Sequence, residues 1–152
     1  MPIPSGVCYD LGMDPRNLPG ALLPFDRTMA GPLGIEITPV AVGEIRGRMP
    51  VTDLVRQPYG VMHGGAIAVL AETVTSVGTC MGIDLTREIG FGQEISYSLL
   101  RTVKDGHVTA EARTLHRGRT AWVWDVRVLD DAEKMVAIVR CTIAVRPQRD
   151  SR

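Results

Sequence analysis

The chain has 152 residues, enough for one domain with a true hydrophobic core. Seventeen Lys and Arg balance seventeen Asp and Glu, which leaves no global field to draw the protein to nucleic acid or to an anionic membrane. Three widely spaced cysteines (Cys8, Cys80, Cys141) and three histidines without ligand spacing predict neither a disulfide framework nor a metal site, and suit a reduced, cytoplasmic compartment.

Met1 to Pro32 is rich in Pro and Gly with scattered apolar residues, Leu18, Leu22, Leu23 and Phe25 among them. That composition predicts an irregular arm packed on the body, with a short helix near Leu18 to Leu23. The opening Met-Pro-Ile-Pro-Ser-Gly lacks the basic and apolar stretches of a secretory signal. From Leu33 the pattern changes. Ile35 and Ile37, then Val42 and Ile45, predict two short strands joined at Pro39 and closing at Met49-Pro50.

Gly64 to Met81 is free of Pro and nearly apolar all round, which predicts a helix buried on most sides. Its Thr and Val residues are mediocre helix formers, so packing must override propensity. A membrane span is disfavoured by Glu72, by several hydroxyl side chains and by the absence of flanking Lys or Arg. Alternation then marks strands at Ile95-Tyr97-Leu99, at Val108-Ala110-Ala112 and at Trp122 to Val128. Met135 to Val145 is apolar on both faces, as in a central strand. Short turns between these runs predict an antiparallel meander. The whole predicts an α+β fold in which a curved antiparallel sheet wraps one long helix. Its body spans residues 33–146, with an arm at 1–32 and a frayed tail at 147–152. One sheet cannot cover a helix on every side, so a homodimer at least is expected.

Glu72 is the only formal charge between Gln57 and Ile83. Burying a lone carboxylate in an apolar run costs several kcal/mol, and chains tolerate it mainly where it does chemistry or fixes an interface. His63-Gly64-Gly65 upstream is a helix start with bare backbone N–H groups, the requirement of an oxyanion site and equally of a tight packing turn. Ser76 lies one helical turn beyond Glu72, close enough to share a water, and Gln57 could donate to a carbonyl oxygen. Gly64 and Glu72 are eight residues apart, which is about 12 Å of helix. A single carbonyl needs both groups at about 3 Å. If both serve one carbonyl, they come from two chains with antiparallel helices, and each dimer holds two sites.

Arg101, Arg117, Arg119 and Arg146 could pair with phosphates, and Arg117-Gly118-Arg119-Thr120 is the most compact group. A solvated basic turn accounts for that spacing equally well. Gly90-Phe91-Gly92 is half of a dinucleotide motif leading into a strand, and is discounted. Trp122 and Trp124 read as packing residues.

Taken together, Gln57-Pro-Tyr-Gly-Val-Met-His63-Gly64-Gly65, Ala71-Glu72, Ser76, the strand Gln93 to Arg101 and His116-Arg-Gly-Arg resemble the hotdog-fold thioesterases over residues 33–146. Gln before the motif and Glu on the helix are similar to the branch of the Arthrobacter-type 4-hydroxybenzoyl-CoA and 1,4-dihydroxy-2-naphthoyl-CoA thioesterases. The phenylacetate-pathway branch more often carries Asn and Asp there. The resemblance implies a hotdog fold, a dimer of dimers, and hydrolysis of an aromatic or medium-chain acyl-CoA without metal or organic cofactor. It implies Glu72 as nucleophile or general base, Gly64 N–H as oxyanion donor and Ser76 as the holder of water. Gln57 and His63 would assist at the carbonyl and leaving-group side. Arg101 and the Arg117, Gly118, Arg119, Thr120 turn would lie near CoA. Tyr59, Met62 and Val69 are candidates for the acyl pocket, as is the arm. Two other readings are a hotdog hydratase or dehydratase and a non-catalytic acyl-CoA-binding module.

Overall fold

A computed structural model describes residues 23–148. The strands are β1 (Glu36–Ala41), β2 (Glu44–Pro50), β3 (Glu88–Leu99), β4 (His107–Arg117), β5 (Ala121–Asp130) and β6 (Met135–Pro147). Among the described residues one α-helix forms, α1 (Gly64–Cys80), between β2 and β3 in the chain. All six strands form one antiparallel sheet in the order β1-β2-β4-β5-β6-β3, with α1 against one face. This is the α+β hotdog arrangement the sequence predicts.

Two details differ from expectation. Pro39 lies inside β1, and the β1–β2 turn falls at Val42-Gly43, where Gly43 has a φ of 89°. β1 is an edge strand, so the N–H that Pro lacks can be spared there. The meander holds only from β4 to β6. β3 pairs with β6 instead of β4, so the loop after β3 carries the chain past two strands. At about 4.8 Å per strand that is a span a seven-residue loop bridges easily. The proposed helix near Leu18 lies outside the described residues, and a single 3-10 turn at Phe25–Arg27 precedes β1.

Ile67, Leu70, Ala71, Val74, Val77 and Gly78 form the face of α1 that meets the sheet. They bury against Ile45, Met49, Val108, Ala110, Trp124, Val126, Val139 and Ile143. Each large side chain so buried contributes about 1.5–3 kcal/mol, which outweighs the weak helix propensity of Val and Thr. Trp124 stacks on Trp122 at 6.0 Å, and its Nε1–H donates to Thr79 Oγ1 at 2.9 Å. The indole thus enters the core with its one polar atom satisfied.

On the outer face, Arg46 pairs with Glu111 at 2.9 Å, Arg113 with Glu44 at 3.6 Å and Arg140 with Asp125 at 3.6 Å. These are directly opposed cross-strand positions, so they contribute less to stability than to register.

The helix is buried on most sides, as expected, but open along one. Glu72 is exposed in the single chain, and Thr73 and Ser76 are only half-buried. On β3, Tyr97 and Leu99 are 43% and 50% exposed although their cross-strand partners Val139 and Ala137 are buried. β3 is an edge strand whose apolar residues on the helix side stand uncovered.

Gly47 lies where α1 approaches most closely. A Cβ there would fall 2.2 Å from Val74 Cγ2. Valine on a helix has essentially one rotamer and cannot step aside. Gly47→Ala is therefore expected to lower stability by about 1–3 kcal/mol, read as a lower urea midpoint with unchanged slope.

Candidate active site

The segment before α1 is a tightly bonded turn. Gln57 N–H donates to Val61 O and Gly60 N–H to Gln57 O, both at 2.9 Å. His63 N–H and Met62 N–H then tie it to Val55 O and Val103 O at 2.7 Å. His63 is the helix N-cap: its Nδ1 accepts from Gly65 N–H at 2.8 Å, and Ala66 N–H donates to His63 O at 3.0 Å. With Nδ1 accepting, Nε2 is the ring nitrogen left to donate. Among the described residues no acceptor stands at Gly64 N–H, which is left at the positive end of the helix dipole.

Both glycines are required by their neighbours. A Cβ on Gly64 would lie 2.5 Å from Leu99 Cδ1, and one on Gly65 would lie 2.9 Å from His63 Nδ1. Beside this helix start is a cleft of roughly 200 Å³ lined by Gln57, Met62, Ile67, Arg101 and the chain from Leu99 to Val103. Gln57, Met62 and Arg101 thus meet in one cleft. Tyr59 is 87% exposed at the tip of the turn and does not line it.

Glu72 belongs to a second groove of roughly 330 Å³, lined by Met29, Val69, Glu72, Thr73, Ser76 and Val77. One chain therefore divides the predicted residues into two sets, Gln57 with the helix start and Glu72 with Ser76 and Val69. The carboxylate of Glu72 rests on the backbone of β3, where a Cβ on Gly92 would fall 2.0 Å from Oε1. Gly92 begins a bulge, with the ladder to β6 slipping between Gly92 and Glu94. The discounted Gly-Phe-Gly thus has a different use, and a glycine inside a strand is itself the signal of close approach.

Beneath Glu72 lies Cys141, fully buried. Burial first, with the neighbouring charges of Glu72 and Glu94, pushes its thiol up to about 11, against a hydrogen bond with Thr75 that lowers it. It remains a neutral thiol at physiological pH.

The basic turn is the third group. Gly118 N–H bonds Ala121 O at 2.9 Å, and the Arg117 guanidinium covers the Trp122 ring at 4.5 Å. Arg146 Nη1 donates to Thr120 O at 2.7 Å and to Val145 O at 2.9 Å, while its Nη2 reaches Gln93 Oε1 at 3.4 Å. Arg146 is therefore a brace for the turn, and Arg119 is exposed upon it. The two cationic candidates stand far apart in one chain. Arg101 N–H bonds Val136 O at the start of β6, and Thr120 O accepts from Val145 N–H near its end. Nine residues of strand separate those positions, about 30 Å.

Among the described residues no group of three His, Cys, Asp or Glu could hold a metal ion, and no helix is long and apolar enough to cross a membrane.

A single helix on a curved six-stranded sheet, with Gly-Gly at its start and one carboxylate on its open face, defines a hotdog-fold hydrolase. The chain belongs to the thioesterase superfamily, whose family model matches residues 59–137. It is 42% identical over 117 residues to the 1,4-dihydroxy-2-naphthoyl-CoA hydrolase of Listeria monocytogenes, covering 77% of this chain and 94% of that one. It is 36% identical over 122 residues to the proofreading thioesterase EntH of Klebsiella pneumoniae, covering 79% and 87%. Among solved structures, a mutant of the thioesterase PA1618 from Pseudomonas aeruginosa superposes with a TM-score of 0.79 at 35% identity, covering 82% and 89%. SAV0944 from Staphylococcus aureus, in a Glu-to-Ala form, gives 0.78 at 37% identity over 80% of this chain and 100% of that one. A Gln-to-Ala form of the same thioesterase is also known, and the two replaced residues stand fifteen positions apart, the separation of Gln57 and Glu72 here.

Gly92→Ala tests whether the carboxylate seat matters. Glu72 can swing away, so stability is expected to hold within about 0.5 kcal/mol. Thioester hydrolysis is expected to fall at least about tenfold as the carboxylate leaves its place. Cys141 gives a prediction in pH. A thiol raised in the fold contributes stability that is complete below its ordinary value of 9.0 and is lost as pH climbs toward about 11. Urea midpoints from pH 8 upward are expected to decline more steeply for wild type than for Cys141→Ala.

Proposed function

We propose that the protein hydrolyses an aromatic or medium-chain acyl-CoA to the free acid and CoA, at sites shared between two chains. The observation that carries this reading is the division of one chain's candidate residues between the helix start and the Glu72 groove. Pairing two β3 edges antiparallel about a twofold near Ile95 and Ser96 sets Gly92 opposite the partner's Leu99. That brings Glu72 to the partner's Gly64, and Arg101 to the partner's Arg117 to Thr120 turn. It also covers the exposed Tyr97 and Leu99 and closes a free sheet edge. Assembly of two such dimers into a tetramer is part of the proposal, as are a cytoplasmic setting and the absence of any metal or organic cofactor.

In the shared site the thioester oxygen lies against Gly64 N–H and the Gln57 amide, where donors fixed in advance stabilise developing negative charge. The partner's Glu72 attacks the carbonyl carbon directly or takes a proton from a water held by Ser76. The tetrahedral adduct then collapses and expels the CoA thiolate, with His63 Nε2–H facing the leaving-group side. The nucleotide end runs toward Arg101 and the partner's basic turn, where guanidinium groups match phosphate geometry. Val69 and Met62 face the acyl group from opposite chains. The names of the Listeria and Klebsiella relatives support an acyl thioester substrate, and the former supports an aromatic one.

Thiol release from aromatic, hydroxyaromatic and aliphatic acyl-CoAs is the test, with Glu72→Ala expected to lose at least about two to three powers of ten. Absence of release from every acyl-CoA by a folded dimer would remove the reading. The shared site has its own check. Glu72→Ala and Gln57→Ala chains co-refolded at equal amounts are expected to regain about a quarter of wild-type activity, because half the dimers are mixed and each holds one intact site. A mixture as inactive as its parents would place the whole site in one chain.

A further inference from the structure

The groove beside Glu72 takes all of its lining from α1 except Met29. From Phe25 to Ile35, beyond the exposed Leu23, the segment that holds Met29 turns its other large apolar residues toward the core. Phe25 packs on the core, and Ala30 and Ile35 are 2% and 5% exposed, whereas Met29 is 64% exposed. The segment is firmly wound. Thr28 Oγ1 donates to Phe25 O at 2.6 Å and accepts from Ala30 N–H at 3.3 Å, and Ile35 N–H bonds Ala30 O at 3.0 Å. Gly31 permits this winding, since a Cβ there would stand 2.0 Å from Asp26 O. The Cα of Met29 is therefore fixed at the groove while its side chain, with three rotatable bonds, can conform to what lies beneath it. Core packing does not account for a large apolar residue held outward by so much local bonding.

We propose that Met29 is a specificity-determining residue that closes the acyl site from above and selects a flat aromatic group. This rests on the thioesterase reading. Val69 and Val77 supply methyl groups along one side, and the Met29 thioether supplies the opposing wall. An aromatic ring offers sulfur a polarisable edge and loses almost no rotamer freedom on binding. A linear acyl chain offers less contact and loses more freedom.

The test uses CoA thioethers that cannot be hydrolysed, phenacyl-CoA against hexyl-CoA, titrated calorimetrically into the intact protein. Met29→Ala is expected to weaken phenacyl-CoA by about five- to tenfold, hexyl-CoA by less than about twofold, and free CoA not at all. Met29→Leu, which keeps the bulk of the wall, is expected to hold the phenacyl loss below about threefold. Equal weakening of both thioethers, or no change in either, overturns the proposal. Thiol release by the wild type separates this from the reading beneath it. Turnover without the shift in binding ratio removes Met29 alone, whereas the shift without turnover keeps Met29 as a selector and removes the hydrolase.

Discussion

The depth at which α1 beds into the sheet is set by glycines placed where helix and strand would otherwise collide. Gly47 receives Val74, and Gly78 receives Ile45 and Trp124, whose atoms would lie 2.2 to 2.8 Å from an added Cβ. Close-packed interiors do not deform continuously, so such contacts hold the helix at one distance and one rotation. With Leu70 and Val74 turned fully inward, Glu72 and Ser76 are obliged to face outward. The same rotation lays the carboxylate on Gly92 and the helix start under Leu99. Packing on one side of α1 thus fixes the chemistry presented on the other.

The open side is what the proposed pairing of two chains would cover. A sheet has two edges, and here β1 carries a proline whereas β3 is long, has no strand on its outer side among the described residues, and is lined with uncovered Tyr97 and Leu99. Such an edge invites a strand. The proposed pairing supplies one and at the same stroke joins the two halves of the site. Stability and catalysis would then draw on the same interface, with the aromatic and aliphatic side chains of β3 closing it and the polar groups of α1 working beside it.

Much of this was legible in the sequence. A long Pro-free run after His-Gly-Gly marked a helix with the right start and an end one residue late, alternation located β3, β4 and β5, and a run apolar on both faces located β6. The spacing of Gly64 and Glu72 already demanded two chains for a common carbonyl. The places where the reading missed are non-local. Which side of a mostly buried helix stays open depends on how far the sheet extends, which no window of residues records. The neighbour of β3 depends on a loop that passes two strands, whereas short turns reveal only adjacent pairs. The arm could equally shape the acyl pocket or cover a sheet edge, and only its folded path shows that Met29 reaches the groove beside Glu72. Gly92 could have been found, since an unexplained glycine in a strand marks a close neighbour.

The histidine cap carries a consequence for which bonds the proposed reaction can break. His63 Nδ1 is engaged by Gly65 N–H, so the ring would have to become an imidazolate to surrender its remaining proton. It can offer the departing atom a hydrogen bond but no proton. Unless the Glu72 carboxyl returns a proton taken from water, the group must leave as an anion, and a thiol, with an acidity near that of cysteine at about 8.5, does so readily. An alcohol, a far weaker acid, does not. In the proposed reaction, the imidazole that holds the helix start in place would favour sulfur esters over oxygen esters by leaving-group basicity.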